Sequence, residues 1–335
     1  MNLKGDNMSL SVTARLEKTH AAQCSSLQIK IRDILEKEAG GVTSEPDWEY
    51  AAIERIRDSF QDEASRQQYE QEIVYLALRE SGISKAERYS PCSNRQWQSA
   101  VLLAKILQGG FNFQRLNGWQ IPGIEVPAGS QDLESHFQVA TFIFEQYRHN
   151  NDVCIRDGDV VLDCGACTGD SAVWALSYGA SSVHCFEPDA LNLTALNSNV
   201  ARYGNGRVKI VPCAVGKETG TVQFIHDNSC VASKIAEDTA FGTQAVPMTS
   251  IDDYAKKHCI APSFIKMDVE GNEMDALTGA RETLVKYRPQ LAICLYHKPS
   301  DMWKIPELIR EIVPEYRYWC RKNHPFCEFV LYGAV

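Results

Sequence analysis

A chain of 335 residues with 44% hydrophobic and 23% charged residues has the make-up of a globular protein, long enough for one large domain or a domain with an appendage. A formal net charge of -9 and a pI near 5.5 argue against a general phosphate-binding surface. No uninterrupted apolar run approaches the ~20 residues that span a bilayer, and Met1-Asn-Leu-Lys-Gly-Asp lacks the apolar centre of a signal peptide. With no secretion signal, the 12 cysteines read as reduced thiols of a cytoplasmic protein.

Residues 1–110 read as a helical domain. Leu27, Ile31, Ile34 and Leu35 recur at helical spacing, and Gly40-Gly41 ends that helix. Ser44-Glu-Pro-Asp starts a second, with Trp48, Ile53, Ile56 and Phe60 near one face. Tyr69, Ile73, Leu76 and Ala77 predict a third, ended by Gly82. Trp97, Val101, Leu102, Ile106 and Leu107 predict a fourth, ended by Gly109-Gly110. These stripes are the ordinary signature of helix-on-helix packing. Residues 111–150 follow as a connector and a packing helix. Phe111, Phe113 and Trp119 in the connector could line a substrate pocket or seal a seam, and Leu133 to Tyr147 reads as a helix.

From residue 151 to 335 strands and helices alternate, which implies a mostly parallel sheet with helices on both faces. Asp159-Val-Val-Leu-Asp-Cys-Gly-Ala-Cys-Thr-Gly-Asp170 predicts a buried strand, a glycine turn and a helix start, with Asp170 and Ser171 as N-cap candidates. The backbone N–H groups at such a turn suit an anionic ligand group. Val183-His-Cys-Phe-Glu187-Pro188 is the second strand, ending in an acid about 20 residues past the turn, where a carboxylate can accept ribose hydroxyls. A helix at 190–203, a strand at 208–216, an added strand at 221–225 and a short helix after Thr249 come next. Ser263 to Asp268 is the fourth strand, one helix spans Met274 to Tyr287, Gln290 to His297 is the fifth strand, and Asp301 to Pro314 is helical. Two closing strands surround residues 316–320 and 327–332.

Ligands of open α/β sheets sit beyond the carboxyl ends of the strands. Those ends carry Asp163 with its turn, Glu187, the Ala214 region, Asp268 with Glu270, and Tyr296-His297. The convergence of four carboxylates and an imidazole is the main sign of an active site. The turn Gly165-Ala-Cys-Thr-Gly169 lacks the dinucleotide spacing, which counts against a nicotinamide oxidoreductase. Cys164-Gly-Ala-Cys167 has redox or zinc spacing but no second pair, so these read as incidental small side chains.

Asp163-Cys-Gly-Ala with Gly169-Asp, then Phe186-Glu-Pro, Thr249-Ser-Ile-Asp-Asp-Tyr and Ile265-Lys-Met-Asp-Val-Glu-Gly-Asn-Glu273 resemble the FkbM family of methyltransferases over roughly residues 155–335. Lys266-x-Asp-Val-Glu-Gly271 is its most specific mark. The resemblance implies a Rossmann-like seven-stranded α/β sheet with one antiparallel strand, S-adenosylmethionine as methyl donor, and a hydroxyl acceptor on a saccharide or small natural product. It places Asp163, Gly165, Ala166, Thr168, Gly169, Asp170, Glu187, Pro188, Ala214 and Asp268 at the donor. His297, Asp268 and Glu270 are the candidate catalytic residues, with His297 as base because an alcohol is a poor nucleophile. Tyr296 or Trp303 could offer a π-face to the sulfonium. Lys266 reads as a charged edge residue or a ligand contact, His226 to Ser229 as a loop over the pocket, and Lys298 to Asp301 as helix-start chemistry or a substrate contact. Asp268, Glu270 and His297 would suit Mg or Mn, but with two or three visible ligands no metal is expected. Partners are expected to be a small-molecule acceptor, neither nucleic acid nor membrane, with a homodimer left open. The competing reading is a non-catalytic protein that kept the fold.

Overall fold

The apolar β-branched run Val160-Val161-Leu162 becomes the central strand of a seven-stranded sheet in a computed structural model that describes residues 25–39, 45–108, 122–128, 130–227, 233–236 and 243–335. In chain order the strands are β1 (Val160–Cys164), β2 (Ser182–Phe186), β3 (Val208–Val211), β4 (Ala214–Val215), β5 (Gly220–Ile225), β6 (Lys234–Ile235), β7 (Thr243–Thr249), β8 (Phe264–Met267), β9 (Gln290–Cys294), β10 (Arg317–Lys322) and β11 (Phe329–Ala334). The large sheet runs β10-β11-β9-β8-β1-β2-β3, and β11 is antiparallel to both its neighbours. A separate four-stranded sheet, β4-β7-β5-β6, packs around Ala214, Phe224 and Val246.

The helices are α1 (Ser26–Ala39), α2 (Tyr50–Ser59), α3 (Glu63–Glu80), α4 (Asn94–Gln108), α5 (Gln131–Phe137), α6 (Asp170–Ser177), α7 (Ala190–Tyr203), α8 (Ile251–His258), α9 (Glu273–Thr278), α10 (Arg281–Tyr287) and α11 (Asp301–Ile312). None among the described residues is long and apolar enough to cross a membrane. Leu27, Ile31, Ile53, Ile56 and Tyr69 of α1–α3 share one apolar core with Met302, Ile305 and Ile309 of α11 and Leu291 of the sheet. Phe60 bridges Tyr318 on β10, and the Tyr69 hydroxyl donates to the Met302 carbonyl at 3.0 Å. Lys322 on β10 meets Glu72 on α3 at 2.6 Å with both side chains buried. The N-terminal helices therefore cover an edge strand that would otherwise offer unpaired backbone groups.

Several elements differ from the sequence reading for local reasons. Gly169, at φ 83°, caps α6, so Asp170 is its first helical residue and Ser171 turns inward. The strand expected at 208–216 divides at Pro212, which has no N–H for a ladder, and its second half joins the smaller sheet. The helix expected from Met274 to Tyr287 breaks into α9 and α10 at Gly279, where a Cβ would stand 2.2 Å from the Gly216 carbonyl oxygen. The segment after α5 is a π-helical turn, Gln138–Ile143. The second helix begins at Tyr50, with residues 45–49 non-helical. Strand β7 has no counterpart in the sequence reading. Phe111, Phe113, Trp119 and the stops at Gly40-Gly41 and Gly109-Gly110 lie outside the described residues.

Candidate active site

The carboxyl ends of β1, β2 and β8 open on a cavity of about 410 Å³, within the range of small-molecule sites. Gly165, Ala166, Cys167, Asp170 and Ser171 line it from the turn and α6, Glu187 and Pro188 from the tip of β2, and Asp268, Val269, Glu270 and Asn272 from the exit of β8. Ala214, Phe224, Ser233 and Ile235 close it from the second sheet. Among the described residues, none that lines it comes from α1–α4; Trp97 of α4 packs against His136, which does line the cavity.

The turn is built by close packing. Gly165 has φ 79°, and a Cβ there would stand 1.8 Å from the Asp268 carbonyl oxygen, so β1 and the β8 exit approach closer than any side chain permits. The backbone N–H groups of Gly165 and Ala166 donate to the Phe186 carbonyl, tying the turn to β2. Glu187 is 5% exposed; its two carboxylate oxygens accept the N–H groups of Cys167 at 2.8 Å and Asp189 at 2.7 Å. Burial pushes its carboxyl up to about 7, against the two backbone donors that favour the charged form.

Lys266 is not an edge residue. The parallel register sets it beside Asp163, and the two ion-pair at 3.1 Å with side chains 5% and 1% exposed. Burial opposes the Lys266 charge, but Asp163 and Asp268 outweigh it and hold the ammonium above the usual lysine range. Nζ also donates to the Gly165 carbonyl, and the Tyr147 ring lies 5.3 Å away. Asp163 accepts the Ser171 hydroxyl at 2.6 Å and does not line the cavity. Thr168 and Gly169 likewise shape the turn from behind: Thr168 is fully buried and its carbonyl accepts from Asn199 at 2.9 Å. Asp170 accepts the Thr141 hydroxyl at 2.5 Å, and burial raises its carboxyl.

At the other end, the Tyr296 hydroxyl donates to Asp268 Oδ1 at 3.1 Å. His297 stands behind this wall and does not line the cavity. Its Nε2 lies 3.4 Å from Asp268 and 3.3 Å from Glu270, and its Nδ1 lies 3.0 Å from Glu273. Burial works against an imidazolium, but Glu273, with Glu270 and Asp268, holds His297 protonated well above the usual range. That is a poor state for the base expected from the sequence, since a ring already protonated collects no proton. Asp268 is raised by burial and by the nearby Glu328 charge.

Among the cavity residues that sequence reasoning missed are two polar ones, each with an oxygen without a hydrogen-bond partner. Gln146 is 3% exposed, and its side-chain Oε1 has no hydrogen-bond partner. Glu328, 7% exposed at φ 57°, has Oε1 3.5 Å from His136 and Oε2 without a hydrogen bond. Nothing local in the sequence marks either one. Trp303 is buried under α2, its indole N–H donating to Glu49, and offers no face to the cavity. His226 pairs with Asp189 at 2.9 Å and lies off the cavity; residues 228–232 of its loop lie outside the described residues. The Lys298 N–H donates to Asp301, as at a helix start. Burial pushes the Cys164 and Cys167 thiols up, against a redox or zinc role.

The strand order with its antiparallel β11, the glycine turn and the acid at the tip of β2 define a Rossmann-like methyltransferase fold. Residues 163–320 match the family described as the methyltransferase FkbM domain. It is similar to the crystal structure of methyltransferase FkbM from Methylobacillus flagellatus, at 22% identity and a TM-score of 0.56, over 85% of this chain and 58% of that one. The chain thus spans under two thirds of that protein's length. A more remote likeness is to a SAM-dependent methyltransferase from Aquifex aeolicus, at 14% identity and a TM-score of 0.34, over 58% and 88% of the two chains. No curated protein sequence matches this chain.

Proposed function

We propose that this protein is a cytoplasmic S-adenosylmethionine-dependent O-methyltransferase acting on a hydroxyl of a saccharide or small natural product, with no nucleic-acid or membrane partner. The observation that carries this reading is a single cavity lined by Glu187, Asp268, Glu270 and Tyr296 together with the glycine turn, within an FkbM domain. The residues fit a nucleoside donor. Glu187 has lone pairs left for ribose hydroxyls, the turn backbone borders the cavity, and the partnerless Gln146 Oε1 faces a polar ligand group.

S-adenosylmethionine, when bound, would supply an activated methyl carbon to the acceptor oxygen, the pair of the broken carbon–sulfur bond staying on sulfur and the hydroxyl proton being left for a base. The chain's work is to align the two reactants and take up that proton. Asp268 and Glu270 face the cavity and hold the acceptor hydroxyl; His297 positions them from behind.

Calorimetry should show saturable binding of S-adenosylmethionine and none of NAD, and labelled methyl should appear in a hydroxyl of a sugar or metabolite panel. Absence of donor binding sinks the proposal. Glu270→Gln is expected to lower kcat by about 10²–10⁴ while donor affinity stays within ~3-fold, because the ribose is assigned to Glu187 and the acceptor to Glu270.

Donor affinity should also depend on pH through Glu187. Below about 7 its carboxyl is neutral and one oxygen carries the proton; above it, both oxygens accept ribose hydroxyls. Affinity therefore rises as pH climbs from 6 to 8 and levels off. Glu187→Gln is expected to flatten that rise and weaken binding roughly 10-fold or more, the worth of a hydrogen bond to a charged group. A wild-type affinity constant across this range would remove Glu187 from the donor site.

A further inference from the structure

We propose that Asp268, Glu270 and His297 form a binding site for a hard divalent cation at the acceptor end of the cavity. One donor atom from each, two carboxylate oxygens and an imidazole nitrogen, all lie within 4.8 Å of one another. The 3.3 and 3.4 Å separations of Nε2 from the two carboxylates are ion-pair approaches without hydrogen-bond alignment, for neither ring nitrogen of His297 makes a hydrogen bond. Ligand atoms around one octahedral cation with bonds of about 2.1–2.3 Å lie about 3.0–3.3 Å apart along an edge, close to the two separations of Nε2 from the carboxylates.

Two further features point to a ligand. The first is Glu273, 1% exposed, whose Oε1 lies 3.0 Å from Nδ1 on the far side of the His297 ring. Metal-binding histidines commonly present their second nitrogen to a carboxylate, and this approach of Glu273 to Nδ1 leaves Nε2 facing Asp268 and Glu270. A cation then takes the place otherwise held by a proton between Nε2 and the two carboxylates. The second is Glu328, whose carboxylate has one oxygen within 4.8 Å of Asp268 and Oε2 without a hydrogen bond. Its side chain is 9% exposed and lines the same cavity. Three carboxylates around one imidazole, with Glu328 beside Asp268, concentrate negative charge that a divalent ion would neutralise. Two oxygens and one nitrogen, with both carboxylates on residues that line the cavity, suit Mg²⁺ or Mn²⁺. Resting on the methyl-transfer reading, the cation would take an acceptor hydroxyl into an open position and lower its pKa.

The test uses the full chain, stripped with chelator and titrated with Mn²⁺, bound metal being read by electron paramagnetic resonance without donor or acceptor. One saturable site is expected. Glu270→Gln, at a partly exposed side chain, should weaken it at least 10-fold. Glu273→Gln should weaken it by about 10–100-fold, as loss of a carboxylate behind a ligating histidine does, while Glu315→Gln on the surface should leave it unchanged. Absence of saturable binding below about 1 mM, beyond the range of physiological sites, overturns the proposal, as does binding that ignores Glu270→Gln. Donor calorimetry on the same stripped protein separates the cases: donor binding without Mn²⁺ binding defeats the cation site and leaves methyl transfer standing.

Discussion

Gly165→Ala is expected to be the most damaging single-methyl change in the chain, costing roughly 3 kcal/mol or more of stability and abolishing donor binding. Two effects add. The residue sits at φ 79°, where an L side chain is strained by about 1–2 kcal/mol. The new Cβ also falls 1.8 Å from the Asp268 carbonyl oxygen, a backbone atom at the end of a central strand that has no free direction to move. Relief requires β8 to slide against β1, which carries Asp268 and Glu270 away from Glu187. Gly158 is the control: it has φ 89° but open space around a Cβ, so Gly158→Ala should show the strain alone, about 1 kcal/mol, with donor affinity intact. Urea unfolding and calorimetry on both variants decide the matter. Equal losses for the two would mean that close strand approach is not what the glycine serves.

Lys266→Met should cost about 3–5 kcal/mol, the usual result of removing one member of a buried ion pair, because Asp163 is left charged and enclosed. The doubly changed Lys266→Met/Asp163→Asn protein should recover at least half of that loss, since Asn keeps an acceptor for the Ser171 hydroxyl and no charge remains. The pair is thus a registry device as much as a source of stability: it joins β1 to β8 one residue before each strand ends, at the Asp163 to Lys266 pairing. Denaturant midpoints for the two single changes and the double complete a cycle. A loss under 1 kcal/mol for Lys266→Met, or a double variant no better than the single, would refute this account. Because Lys266 also borders the cavity, donor affinity should fall in the single variant even at temperatures where it remains folded.

The strands that carry the site were legible because each is a short apolar run bounded by a turn. Val160 to Cys164, Ser182 to Phe186 and Phe264 to Met267 lie where the pattern placed them, and α7 matches its expected span, Ala190 to Tyr203. The convergence of Gly165, Glu187, Asp268 and Glu270 on one cavity was legible too, since parallel strands joined by right-handed crossovers present all their carboxyl ends on one side. The role first given to His297 was not. A histidine at a strand end looks like a base, whereas three carboxylates around it favour its charged form.

Propensity, capping and glycine conformation act within a few residues, so the order of elements, the turn after β1 and the acid after β2 could all be read along the chain. The contacts that give those elements their chemistry act across the fold. Lys266 meets Asp163 only through strand register, Glu72 meets Lys322 only because α3 lies on β10, and Glu328 reaches the cavity only because β11 returns antiparallel beside β9. Such pairings depend on which segments the closed core brings together, and no local energy term marks them before the chain has packed.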